Sequence, residues 1–156
     1  MIAPITIFAL FGIAALLVGA SVKRIPEGHV YTLRRWGRPQ PRMLLPGTHM
    51  VLPLIERIAH KISLGGHTLR LDEALPADAA ITRALHGSVY WQVLEPERAD
   101  AVIERADELI RARTLQALQV AADEDERARN VRLKQVLNAE LRARGMLVTR
   151  VDLQLA

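Results

Sequence analysis

From Met1 to Val22 the chain carries no charged side chain, and Lys23 and Arg24 follow at once. At ~1.5 Å per residue, residues 2–22 predict a helix of roughly 32 Å, matched to a hydrocarbon core of about 30 Å. Beyond it the pattern shortens to strand length. Val30, Tyr31, Thr32 and Trp36 between Gly28 and Gly37 read as a strand, and 38–41, with two prolines, as a loop. Pro46-Gly47 sets a turn into a short strand over 48–52. Further strands are expected at 58–64, 67–71 and 81–94, with Gly65-Gly66 between the first two of these. Together they predict a small antiparallel sheet.

At Pro96 the period changes. A brief helix should run from Pro96 to about Ile103. Asp107 is placed to cap a second helix over 108–122, with Ile110, Thr114, Leu118 and Ala121 on one face. The acidic run 123–126 should open a third helix reaching Arg144, striped by Leu133, Val136, Leu137 and Leu141. Gly145 lies where a helix-ending left-handed residue is expected, and 146–155 returns as a final strand. Strands, then helices, then a strand make an α+β fold.

Charge sharpens the picture of the first segment. Residues 23–70 hold nine Lys and Arg against Glu27 and Glu56, whereas 71–156 hold twelve against fifteen acids. The basic half directly follows the apolar run, where Lys23, Arg24 and their neighbours can meet anionic headgroups. No nucleic-acid motif accompanies the charge, so nucleic acid is not an expected partner. A cleaved signal peptide would need a basic stretch before a shorter apolar centre, and no Lys or Arg precedes this run. The expected organisation is a transmembrane anchor over 1–22 and one domain over 23–156, strand-rich over 28–95 and helical over 96–144. Counting positive charges places that domain on the cytoplasmic side.

Three blocks carry a family likeness: Gly28-His29-Val30 with Arg35-Trp36-Gly37-Arg38; Leu45-Pro46-Gly47-Thr48-His49 with Pro53-Leu54-Ile55; and Val89 to Pro96. The closing Gly145-Met146-Leu147-Val148 fits the same pattern. The chain resembles the stomatin/prohibitin/flotillin (SPFH, Band 7) domain over nearly its whole length. The resemblance implies a membrane-held domain that self-assembles and serves as a scaffold, or as an adaptor that modulates a membrane-bound protease. Implied partners are membrane lipids, copies of itself or other SPFH proteins, and a membrane protease. Gly28, Trp36, Gly37, Pro46, Gly47, His49, Pro53, Pro96 and Gly145 are carried over as structural motif positions. Two stretches depart from the family: Ala79-Ala80-Ile81-Thr82-Arg83 before the long strand, and Leu115-Gln116 in the helical block.

Catalytic chemistry finds little support. There is no Cys, which excludes disulfides and thiolate nucleophiles. His29, His49, His60, His67 and His86 form no His-x-x-x-His or Glu-x-x-His pair, the spacings that set two ligands on one helix face. No serine has a Gly-x-Ser-x-Gly setting, and no glycine-rich phosphate loop occurs. The expectation is a non-enzyme without metal or cofactor, in which His49 serves its turn by capping or packing.

Overall fold

A computed structural model describes residues 2–38, 41–78, 81–121 and 124–156. The chain divides into two compact units, Met1–Ser63 and Leu64–Ala156, each with its own core.

The first unit opens with helix α1 (Ile2–Ser21), and strand β1 (Val22–Ile25) follows with no linker. Next come β2 (His29–Arg35), β3 (Arg42–Leu44), β4 (Gly47–Met50) and β5 (Glu56–Ser63). β1 pairs antiparallel with β4, and β2 is the centre of a separate sheet ordered β3-β2-β5. Alternation explains the core. Val30 and Thr32 face one way on β2 and Tyr31 and Leu33 the other, and the register of β5 slips by one residue, Ala59, between His60 opposite Thr32 and Ile58 opposite Leu33. Ile25, Leu33, Leu44 and Val51 form one buried cluster, flanked by Tyr31 and Ile58.

The second unit holds the long strands β6 (Gly66–Asp78), β7 (Ile81–Val93) and β8 (Met146–Leu155), antiparallel in the order β6-β7-β8. Between β7 and β8 lie α2 (Pro96–Ala99), a 3-10 turn Ile103–Arg105, α3 (Ala106–Ala121), α4 (Glu126–Leu141) and a 3-10 turn Arg142–Arg144. Ile110, Thr114, Leu118 and Ala121 line the buried face of α3, the periodicity expected of it. From α4, Leu133, Leu137 and Leu141 pack inward, with Met146, Val148, Val151 and Leu153 of β8 also buried. The Asp125 side chain accepts from the Arg127 backbone N–H and caps α4.

Several expectations need correcting. The strands distribute over three antiparallel sheets rather than one, because β1 takes β4 as its partner and the second unit builds its own sheet. Residues 72–75 continue β6 despite their acids, since Asp72 pairs with His86 across the strand and Glu73 with Arg111 of α3. Asp107 lies inside α3 and accepts a hydrogen bond from the Trp91 indole at 3.1 Å instead of capping. Val136 is exposed, and Arg129 takes a buried place on α4. The Pro39-Gln40 part of the expected loop, Ala79-Ala80 and Asp123 of the acidic run lie outside the described residues.

The transmembrane anchor also changes. Among the described residues no helix is long and apolar enough to cross a membrane. The portion of α1 over 6–21 rises only ~24 Å, short of a hydrocarbon core of about 30 Å.

Candidate membrane-contact surface

The end of α1 is tied into the first unit by its own backbone. Ser21, buried, donates its hydroxyl to Leu17 O at 2.6 Å, and Ser21 O accepts from Val51 N at 2.8 Å. One of the carbonyls that every helix leaves over at its C-terminus is thereby satisfied by the strand partner. The register continues from there: Val22 opposite Met50, Lys23 opposite His49, Arg24 opposite Thr48, Ile25 opposite Gly47.

From Val51 the chain makes a tight excursion held at its base by Glu56. Its carboxylate accepts from Leu52 N at 3.1 Å, its own N–H donates to Leu52 O at 2.7 Å, and Arg42 lies 3.8 Å from its second oxygen. Closing the loop on a buried carboxylate leaves its apolar tip outside. Leu54 is 80% exposed, and Leu52 and Ile55 are also in solvent. Ile55 O accepts from Trp36 N at 3.0 Å, which brings in an indole that is 89% exposed. A continuous hydrogen-bonded path thus runs from the end of α1 through the Val51–Ile55 excursion to Trp36. Met50 and Val22, also exposed, stand opposite each other at its start.

Cations accompany this apolar run. Lys23 and Arg24 follow α1 directly, and Arg34, Arg35, Arg38 and Arg57 are exposed around the β2–β5 end. Glu56, the acid in that neighbourhood, is buried and engaged. An exposed Trp, aliphatic side chains and a basic rim together suit the headgroup region of a bilayer, where indoles concentrate and each Lys or Arg adds about 1 kcal/mol on an anionic surface. Exposed apolar groups in such a contiguous set mark an interaction surface rather than ordinary surface.

The motif residues of the first unit shape its turns. Gly28 and Gly37 have φ of +77° and +79°, the left-handed values that turns into and out of β2 require. Pro46 and Gly47 lead β4, and the His49 ring closes that turn through Nε2 to Leu45 O at 2.8 Å, which requires the Nε2–H tautomer. Pro53 stands in the excursion beside Leu52 and Leu54. Lys23, Arg24, Gly47 and His49 therefore meet on one two-stranded ribbon, and Trp36 meets the Pro53 loop.

Pro96 and Gly145 belong to the second unit and meet there. Pro96 starts α2, and Gly145 O accepts from both Leu94 N at 2.8 Å and Glu95 N at 3.0 Å just ahead of it. Gly145 has φ +72°, and a Cβ there would lie 2.3 Å from Glu95 O. A second tight glycine, Gly87 in β7, escaped notice: its φ is +148° and a Cβ would fall 2.0 Å from Asp152 O. The exposure of Leu52, Leu54 and Ile55 is also unexpected, although Leu54 and Ile55 stand in one of the motif blocks. Their sequence signal was an apolar triplet around Pro53 with no alternating polar face. Among the described residues no group of three or more His, Asp or Glu could hold a metal ion.

The family model described as SPFH domain / Band 7 family matches residues 23–156. An uncharacterized protein of Schizosaccharomyces pombe is 34% identical over 91 residues, which take in 55% of this chain and 24% of that protein. The chain thus spans about a quarter of the length of that relative.

Proposed function

The chain belongs to the SPFH domain / Band 7 family, membrane-associated and generally of non-catalytic scaffold type, and from that premise we propose that it is a membrane-held scaffold subunit. In this reading α1 is buried in the bilayer and the Trp36/Leu54/Ile55 surface rests in the headgroup layer at its root. The subunit then assembles with copies of itself or with other members of the family.

One observation carries the reading: the hydrogen-bonded path from Ser21 through Val51–Ile55 to Trp36, which joins the end of an uncharged 20-residue helix to an exposed apolar loop and a basic rim. Positive charge at Lys23 and Arg24 supports a cytoplasmic position for the rest of the chain.

Three measurements test the proposal. Native membranes washed with alkaline carbonate should retain the protein, and its release into the supernatant would refute a buried α1. Detergent-solubilised protein should have a mass of several subunits; a monomer at every concentration would refute assembly. Reporters fused after Ala156 should be active on the cytoplasmic side alone.

A further inference from the structure

The three-stranded sheet of the second unit has two edges, and they are treated differently. On the β8 side, α4 takes the place of a fourth strand. Asn138 Oδ1 accepts from Val148 N at 2.7 Å while its Nδ2 donates to Val148 O at 3.0 Å, the pair of bonds a neighbouring strand residue would make. Asn130 Nδ2 and Arg129 Nη2 both donate to Leu153 O further along, at 3.2 and 3.3 Å. The side chains of one helix thus close the outer edge of β8.

On the other side, among the described residues, no strand pairs with the outer edge of β6. Exposed edges are normally blunted by shortness, lysine, proline or a bulge. β6 has 13 residues and no Lys, and its Pro76 and its irregularity lie at the far end, leaving an even run over 66–75. Its odd-numbered side chains face the helices or the core: His67 stacks on Trp91 at 4.3 Å, Leu71 is buried, and Glu73 meets Arg111. Its even-numbered side chains Thr68, Arg70, Asp72 and Ala74 face solvent.

We propose that β6 pairs antiparallel with β6 of a second copy, about a two-fold axis through Leu71. This rests on the scaffold reading above and supplies it with a contact surface. The register follows from charge. Centring the pair on Leu71 sets Arg70 opposite Asp72 of the second copy, twice over, with Thr68 opposite Ala74. Centring it on Arg70 or on Asp72 sets like charges face to face, which opposes pairing, and centring it on Leu69 or Glu73 leaves the charges unmatched. Asp72 already bonds His86 at 2.8 Å, yet its side chain remains 81% exposed and open to a second partner. An isologous contact of this kind closes on itself as a dimer, the repeating unit from which a larger assembly is built.

Two single substitutions in the full-length chain, Arg70→Asp and Asp72→Arg, test the pairing in detergent, read as the dissociation constant of the dimer on dilution. Each variant alone sets like charges opposite one another in both rungs and should weaken self-association by about tenfold or more. An equal mixture of the two should recover wild-type affinity, because each rung of the mixed dimer then joins Asp to Arg. The recovery also demonstrates that both variants are folded. Unchanged affinity in the single variants overturns the proposal, and so does a mixture as weak as its components. A second arm uses the absence of native cysteine. Chains carrying Arg70→Cys mixed with chains carrying Asp72→Cys should cross-link on oxidation, and no cross-link in a dimeric mixture refutes this register. Wild-type chain that is monomeric throughout refutes the scaffold reading itself; wild-type that assembles indifferently to these changes refutes the β6 contact alone.

Discussion

Replacing Asn138 with Ala should open the outer edge of β8. Val148 is fully buried, and the Asn138 amide supplies hydrogen-bond partners for both its N–H and its C=O. Removing the amide strands two buried backbone groups at roughly 1–3 kcal/mol each. Some relaxation and water entry will recover part of this, so a loss of about 2–4 kcal/mol is expected, a large fraction of a typical stability of roughly 5–15 kcal/mol. Asn138→Leu separates the causes, because it restores side-chain volume without supplying any hydrogen bond. If the amide is responsible, Leu should be nearly as damaging as Ala. Hydrogen exchange at the Val148 amide in the detergent-solubilised chain reads the effect locally, which matters because two units need not unfold as one. An unchanged exchange rate at Val148 in Asn138→Ala would refute the role assigned to the amide, and a Leu variant as stable as wild type would assign the loss to packing.

Gly145→Ala should cost about 2–4 kcal/mol, combining left-handed strain of roughly 1–2 kcal/mol with a Cβ placed 2.3 Å from Glu95 O; denaturant midpoints that match wild type would contradict this. Gly87→Ala should disturb the β7–β8 pairing, visible as faster amide exchange over 150–154, because its Cβ would strike Asp152 O. Leu54→Asp should withdraw the loop from lipid. In vesicles of brominated phospholipid this appears as reduced quenching of Trp36, with buried Trp91 contributing little, and quenching equal to wild type would remove Leu54 from the contact surface.

Much of the fold was legible because most elements satisfy their own periodicity. α3 shows its buried face as Ile110, Thr114, Leu118 and Ala121, and β8 announces itself after Gly145. What stayed hidden depends on partners distant in sequence. Nothing local says that Asp107 answers the Trp91 indole, or that Glu73 is matched by Arg111 and so leaves β6 unbroken. Val136 looked like core because it sits beside Leu137, yet the helix presents Arg129, Leu133, Leu137 and Leu141 inward at close to four-residue intervals. The contact surface was half visible. Trp36, Pro53, Lys23 and Arg24 stood out singly, but their association needs Ile55 O to reach Trp36 N and Val51 N to reach Ser21 O, pairings that only the fold supplies. Asn130 and Asn138 share one helix face eight residues apart, a spacing that carries no meaning until β8 is known to run beside it.

Ser21 ends α1 and Val22 begins β1, so helix and ribbon are joined without slack. Even a few flexible residues would let the two elements pivot independently. Here the Ser21–Val51 bond clamps the joint from the opposite strand as well. A tilt of α1 therefore acts as a lever on the β1–β4 ribbon, turning Lys23, Arg24 and the Pro53 loop along with it. Whatever surface holds α1 thus also sets the orientation of the cationic ribbon and of the loop that closes on it.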